Sequence, residues 1–486
     1  MRQTVYFLIV LSLAVPAVAE REALRPLDCS HLMSWSIGGI ATPRLERLAR
    51  DRSLAFIFTA HETAALLQSG VDPKLVQSLR LMKGPPSGVQ RSFCRTQLTM
   101  VGKLVRAKEY EQAEPIMQKL IASDPNNSAL RFALGYIQQQ QNDWDAAFDA
   151  YLDSRNLMPG LSDTHARLAY VFYRYDDGDN AIAEARTALS IDPKNSEAYR
   201  YLGLGFHANQ QYSYAIHAFQ ESLALGPDNA DTYYDMGIAM ASNGDLNGAA
   251  AAYRKAIALN PQFWEAYNNL GMLQHDIKHF EAAIATYQKA KRLAPGEPRI
   301  RYNLGNTYLD KGDFEAAISE FRELYRTNPG WQQGHSVFAK ALMANGDFKA
   351  AIPELRLAIL QDPTAAVEHR VLGQALLMAH DQEEALRELR VAVQLDPDSS
   401  LAHHYLGTTL LNLGQVEAAE TEFREALRLA PTADNHYSLA ACLITMGHYQ
   451  DAAGELDTAV SLRPAETVYR ARKEELLKLM RASASR

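Results

Sequence analysis

Histidine and cysteine side chains are the usual ligands of zinc in proteins, so their spacing is a first test for chemistry. His275 and His279 are four residues apart, a spacing that can place two zinc ligands on one helix face. The surrounding pattern, however, predicts that His275 ends a helix and that His279 lies in the following turn, with no third ligand. The chain also lacks a phosphate-binding glycine loop, paired-cysteine metal spacing and a nucleophile elbow. We therefore predict no catalytic residues, no metal and no cofactor, and a protein that is not an enzyme.

A second histidine pattern runs along the chain. His335, His369, His403 and His436 recur at steps of 34, 34 and 33 residues, and His165 occupies an equivalent place earlier. Helices that pack side by side lie roughly 10 Å apart, so these rings cannot share one metal ion. We interpret them as partly buried packing residues. Burial would favour the neutral ring, so we expect any stabilisation to be lost as the pH falls.

The regular spacing extends to proline. Eleven prolines follow one another at nine steps of 34 residues and one of 33: Pro125, Pro159, Pro193, Pro227, Pro261, Pro295, Pro329, Pro363, Pro397, Pro431 and Pro464. A fixed period of this length indicates a repeated structural unit. We number each unit so that its proline is position 32.

Small and large residues recur at set positions of this unit. Position 8 is glycine in most units, position 20 is alanine in all eleven, and position 24 is large in most. Apolar residues at helical spacing precede a Gly-Asp pair such as Gly312-Asp313, which predicts the end of one helix and the cap of the next. The second helix should stop near the proline, which cannot continue it. The pattern predicts a two-helix hairpin whose helices cross closely at positions 8 and 20.

These residues resemble the tetratricopeptide repeat, a 34-residue helical hairpin. The resemblance covers residues 94–466, with a degenerate first repeat in which Val101 takes the glycine position. It implies an all-α fold, a right-handed α-solenoid of about eleven hairpins. It also implies that the first helices line a concave groove that binds ligands.

The resemblance assigns groove residues to positions 5, 6 and 9 of the middle repeats. These are Arg200, Tyr201, Tyr234, Asp235, Asn268, Asn269, Tyr302, Asn303 and Asn306. Asparagine carries a donor and an acceptor, which match the backbone amide of an extended peptide. An alternative is that Asn269 and Asn303 are ordinary consensus residues left by repeat duplication.

The two ends of the chain differ from the repeats. Residues 1–19 predict a secretory signal, with Arg2 before an apolar run and a small-x-small pattern ending at Ala19. The apolar run is shorter than the roughly 20 residues that span a bilayer. We therefore expect cleavage rather than a retained anchor, and a periplasmic or extracellular protein without a membrane span. Residues 467–486 predict a capping helix and tail.

Residues 20–93 predict a small helical module and a linker. Thr59 should cap a helix that ends at Gly70, and residues 84–88 have the Gly-Pro-Ser composition of a linker. Cys29 and Cys94 bracket this segment, and in an exported chain they form either a disulfide or two unpaired cysteines. Residues 20–95 carry 11 basic and 7 acidic side chains, whereas the whole chain has a net charge of −8. We attribute this difference to solvated surface, and the acidic balance argues against nucleic-acid binding.

Together these features predict a non-enzymatic scaffold that binds a protein or extended peptide in the groove of a repeat superhelix in the cell envelope. Two alternatives stay open. The chain could be a structural adaptor in an envelope assembly such as polysaccharide export or pilus biogenesis. It could also be the non-catalytic subunit of an enzyme complex.

Overall fold

The computed structural model describes residues 26–82, 94–226 and 229–484. Within these ranges it contains 27 α-helices and no β-strand, the only extended pairing being a bridge between Leu27 and Leu54. The predicted all-α fold class is confirmed. The predicted signal at residues 1–19 and the predicted linker at 84–88 lie outside the described residues.

The helices fall into two compact units, Met1–Ala266 and Tyr267–Arg486. The first unit begins with four short helices, α1 Cys29–Ile37, α2 Thr42–Arg52, α3 Ala60–Ser69 and α4 Pro73–Arg80. Repeats 1 to 5 follow as α5 Thr96–Arg106, α6 Tyr110–Ser123, α7 Ser128–Gln140, α8 Trp144–Leu157, α9 Ser162–Arg174, α10 Gly178–Ile191, α11 Ser196–Ala208, α12 Tyr212–Leu225, α13 Ala230–Ser242 and α14 Leu246–Leu259.

The division between the units falls within α15 Trp264–Asp276, the first helix of repeat 6. The second unit continues with α16 Phe280–Leu293, α17 Pro298–Lys311, α18 Phe314–Thr327, α19 His335–Ala344, α20 Phe348–Gln361, α21 Ala366–Met378, α22 Gln382–Leu395, α23 Ser400–Asn412, α24 Val416–Leu429, α25 Ala433–Thr445, α26 Tyr449–Leu462 and the final helix α27 Thr467–Ala484. In repeats 1 to 5 and 7 to 11, the first and second helices of each repeat pack against each other as a hairpin.

The small residues lie where the hairpin prediction requires them. All eleven position-20 alanines are fully buried. A Cβ atom added to Gly237 at position 8 would lie 2.6 Å from the ring of Tyr253 at position 24, and one added to Gly305 would lie 2.9 Å from Phe321. Carbon atoms pack at about 3.5–4.0 Å, so only glycine fits against these rings. The hairpins with glycine at position 8 therefore close by pairing a missing side chain with a large one.

The turns between helices follow the predicted chemistry. Gly312 ends α17 with φ of 88°, a left-handed conformation that glycine adopts without steric cost. The carboxylate of Asp313 then accepts a hydrogen bond from the Ala316 amide at 3.2 Å and caps α18. In the N-terminal module Thr59 caps α3 and Gly70 ends it, as predicted.

The N-terminal module shares one apolar core with the first repeats. Trp35 and Leu32 of α1 are fully buried in the same cluster as Phe132 of α7 and Leu168 of α9. The structure joins Cys29 of α1 to Cys94, the residue that opens repeat 1, by a disulfide with Cα atoms 5.0 Å apart. None of the described helices is both long enough and apolar enough to cross a membrane.

Candidate functional site

The first-helix face, formed by positions 5, 6 and 9 of the first helices, is the surface on which the predicted groove residues lie. Position 5 of one repeat meets position 6 of the next. In the first unit the Nε of Arg200 donates to Asp235 at 2.7 Å. In the second unit the Nδ2 of Asn303 donates to the Oδ1 of Asn268 at 3.0 Å. Polar side chains of neighbouring repeats thus form hydrogen-bonded pairs along this face.

Repeats 4 and 5 carry a charged cluster on the first-helix face. Arg200 is half-buried between Asp235 and the more distant Asp231, at 3.7 Å. Burial raises the pKa of the Asp235 carboxyl, and the neighbouring Arg200 only partly opposes this effect. Tyr234 packs its ring on Phe263 with centroids 4.8 Å apart. Arg200 and Asp235 therefore neutralise each other rather than present one sign of charge.

Tyr201 does not lie open on this face. It is 3% exposed, its hydroxyl accepts a hydrogen bond from Arg167 at 3.0 Å, and its ring stacks on Tyr170 with centroids 5.0 Å apart. The structure places it in the packing between repeats 3 and 4. The assignment of positions 5, 6 and 9 to the groove could not anticipate the burial of Tyr201, because Arg167 lies one repeat earlier in the chain.

The polar residues of repeats 6 and 7 divide into buried and accessible groups. Asn268 is 7% exposed, and its side chain is hydrogen-bonded to those of Asn269 and Asn303. Tyr302, Asn269, Asn303 and Asn306 are half-buried. The side chain of Asn306 has no hydrogen-bond partner among the described residues. Asn268 is thus a link between repeats, whereas Asn306 retains its full hydrogen-bonding capacity.

The N-terminal module covers the first-helix face of repeats 2 and 3. Gly38, at the end of α1, lies so close to Phe132 that an added Cβ would be 2.6 Å from its ring. The Arg167 guanidinium reaches the Gly38 carbonyl at 3.5 Å. The accessible part of this face in the first unit therefore begins beyond repeat 3.

Two arginines of the module reinforce this contact. Arg44 pairs with Asp163 at 3.2 Å and with Asp192 at 2.9 Å, and Arg47 pairs with Asp192 at 3.1 Å. Asp163 is the position-2 residue of repeat 3, and its side chain is 5% exposed. Part of the module's basic charge is thus used for docking, and the solvated-surface interpretation is wrong for Arg44.

The histidines at position 4 have acidic partners that the sequence interpretation missed. The Nδ1 of each lies 2.5–2.7 Å from the carboxylate of a glutamate at position 23 of the same repeat. The pairs are His165–Glu184, His335–Glu354, His369–Glu388, His403–Glu422 and His436–Glu455. In the sequence, this pairing was visible as a glutamate 19 residues after each position-4 histidine.

His275 and His279 do not face a common ion. The Nε2 of His275 lies 3.0 Å from Asp310, and His279 is the residue before α16. Among the described residues, no group of three histidine, cysteine or carboxylate side chains is arranged to hold a metal.

Comparison with known proteins agrees with the hairpin geometry. Family models described as tetratricopeptide repeat match residues 104–151, 234–298, 308–374 and 400–433. No curated protein matches the sequence significantly. Among solved structures, MamA of Desulfovibrio magneticus RS-1 is 21% identical, with 34% of this chain and 94% of that chain covered and a TM-score of 0.33.

Two further structures are similar over longer stretches. The PilF protein of Pseudomonas aeruginosa is 19% identical over 46% of this chain and 96% of its own, with a TM-score of 0.38. Yeast Tom70 is 14% identical over 80% of this chain and 95% of its own, with a TM-score of 0.32.

Proposed function

Because this chain is a tetratricopeptide repeat protein, we propose that it is a non-enzymatic scaffold that holds an extended segment of another protein against its first-helix face. We further propose that it works in the cell envelope. The accessible hydrogen-bonding groups of repeats 6 and 7 carry the proposal. Half-buried asparagine amides can pair with the donors and acceptors of an extended backbone.

The residues best placed for this role are Asn303 and Asn306. Both are half-buried, and Asn306 has no hydrogen-bond partner among the described residues. Asn303 uses its Nδ2 for the bond to Asn268, so its Oδ1 can accept a hydrogen bond from a peptide amide. Tyr302 lies beside them with its ring at the edge of Phe321 and contributes apolar contact.

The test is partner capture by the full chain from envelope extract, with quantitative mass spectrometry of the retained proteins. The variant N303A/N306A should bind the captured partner about fivefold or more weakly and retain less of it, since each of the two hydrogen bonds contributes roughly 0.5–1.5 kcal/mol. The matched control is N412A, because Asn412 is exposed at the end of α23 and outside positions 5, 6 and 9. Equal capture by wild type and N303A/N306A would refute binding on this face and would favour an adaptor that uses another surface.

The proposed location has its own test. The Cys29–Cys94 bond supports it, because disulfides persist in oxidising compartments. The chain has three cysteines, and Cys442 is the free one. Cells quenched in acid and then alkylated under denaturing conditions should yield one modified thiol per chain. Three modified thiols would contradict an exported location.

A further inference from the structure

The histidine links have a second contact that ties them to the neighbouring repeat. The Nε2 of His369 lies 3.2 Å from the carbonyl oxygen of Pro363, the position-32 proline of the preceding repeat. His403 makes the same contact with Pro397 at 3.0 Å, and His165 makes it with Pro159 at 3.0 Å. Each of these rings therefore touches three segments: its own helix, the second helix of its repeat and the preceding loop.

Both partners of these rings are acceptors. A carboxylate and a backbone carbonyl accept hydrogen bonds and donate none. A neutral imidazole carries hydrogen on one nitrogen, so it would leave one ring lone pair facing an oxygen lone pair. The ring satisfies both contacts only when both nitrogens carry hydrogen, which is the imidazolium cation.

Other repeats supply an independent indication that this position takes a cation. In repeat 7 position 4 is Arg301, a permanent cation, and it pairs with Glu320 at position 23 at 3.1 Å. In repeats 4, 5 and 6 position 4 is tyrosine, and position 23 is Ala218, Ala252 and Thr286. Within this one chain, glutamate at position 23 occurs only in repeats whose position 4 is histidine or arginine, although Arg131 of repeat 2 has Ala150 at position 23 and pairs with Asp153 instead.

The charged surroundings of the rings are mixed. Arg155, on the second helix of repeat 2, shares the Glu184 carboxylate with His165 at 2.8 Å. Near His403 the carboxylate of Glu425 lies within electrostatic range and is itself paired with Arg428. The contacts described for His369 are Glu388 and the Pro363 carbonyl.

A neighbouring histidine has the opposite tendency. His404 follows His403 but bonds Asn435 at 2.8 Å, and burial lowers its pKa. Protonation of His404 therefore opposes folding.

We propose that His165, His369 and His403 are proton-dependent links, which hold each hairpin to the loop of the preceding repeat when protonated and release it when neutral. Histidine exchanges its proton between about pH 5 and 8. Because the folded chain favours the protonated ring, the stabilisation is present at the acidic end of this range and is lost as the pH rises. This pH dependence is opposite to the one expected from burial alone, in which the stabilisation is lost as the pH falls.

The test compares urea unfolding of the full chain at pH 6 and pH 8. Wild type should unfold at a higher urea concentration at pH 6. The variant H369Y/E388A/H403Y/E422A copies the tyrosine and alanine of repeats 4 and 5 and should lose much of that difference. The variant H369R/H403R copies Arg301 and should keep its pH 6 stability at pH 8. The control H217Y removes an exposed histidine and should behave as wild type.

The carboxyl groups that all variants share contribute equally to the stability difference between pH 6 and pH 8, so they do not affect the comparison between variants. An unchanged difference between pH 6 and pH 8 in the tyrosine–alanine variant would overturn the proposal. A measurement on the unmodified chain provides a second test in case a variant fails to fold. Nitrogen-15 spectra of the histidine rings at pH 7 should show hydrogen on both nitrogens of His369 and His403. An unprotonated Nε2 there would also overturn the proposal.

Discussion

The glycine at position 8 of most repeats gives a quantitative prediction, in which the same change from glycine to alanine has different effects on stability at two sites. Gly407 lies inside α23, and a Cβ atom added there would be 2.9 Å from the Phe423 ring. This is about 0.6 Å short of the 3.5 Å at which carbon atoms begin to pack favourably. Gly454 lies inside α26, is exposed, and has no atom within 4 Å of an added Cβ.

Both substitutions by alanine gain the same helix propensity, about 1 kcal/mol. At Gly454 this is the whole effect, so G454A should stabilise the chain by about 1 kcal/mol. At Gly407 the forced separation of the helices costs about 1–3 kcal/mol, so G407A should range from neutral to about 2 kcal/mol destabilised. The difference between the two variants removes the propensity contribution and measures the packing cost directly.

Urea unfolding of the full chain, followed by far-ultraviolet circular dichroism, measures both changes in the same unit of the structure. A double-mutant cycle adds a positive test, because G407A/F423L copies the Ala339–Leu355 and Ala440–Leu456 pairs at the same positions. The double variant should be more stable than the sum of the single changes predicts. Equal stabilisation by G407A and G454A would show that the glycine does not set the packing distance, and the account of the hairpin would fail.

Three further predictions concern the covalent bond, the free thiol and the docked module. The variant C29S/C94S should lose up to about 4 kcal/mol of unfolding free energy, because the disulfide joins residues 65 apart and restricts the unfolded chain; urea unfolding that matches wild type would contradict this. Burial raises the pKa of the Cys442 thiol to about 11, so maleimide at neutral pH should modify it only as fast as the chain unfolds, and rapid labelling of the native protein would show that the site is open. Burial raises the pKa of Asp163, although the neighbouring Arg44 lowers it. The variant R44A leaves this carboxylate without a partner, so it should lose about 3–5 kcal/mol of unfolding free energy at pH 7. The loss should be smaller near pH 5, because Asp163 then takes up a proton. An R44A loss that is equal at both pH values would exclude an uncompensated carboxylate as its cause.

Most of the fold could be predicted because the information is local and repeated. A helix cap such as Asp313, a left-handed glycine such as Gly312 and a small residue such as Ala317 act within one hairpin. The 34-residue period presents the same choice eleven times, so the shared requirement stands out from individual variation. Local hydrogen bonding and close packing within 34 residues therefore specify the hairpin.

The candidate site was less predictable because its residues meet across repeats. The assignment of positions 5, 6 and 9 to the groove selected Tyr201 and Asn268. Tyr201 is buried against Arg167, and Asn268 is hydrogen-bonded to Asn303, so both residues belong to the packing between repeats. Asn306 keeps its predicted accessibility because no neighbouring repeat supplies a partner within the described residues. Whether a peptide binds there stays a prediction.

The sequence by itself determined the hairpin, its length and the residues at its crossing point, since each depends on contacts between residues close along the chain. Only the tertiary structure decided which surfaces remain accessible. Arg44 meets Asp163 across 119 residues, and His403 meets the carbonyl of a proline in the repeat before it. Such contacts depend on how separate elements pack, and the types of the two residues do not reveal that they meet.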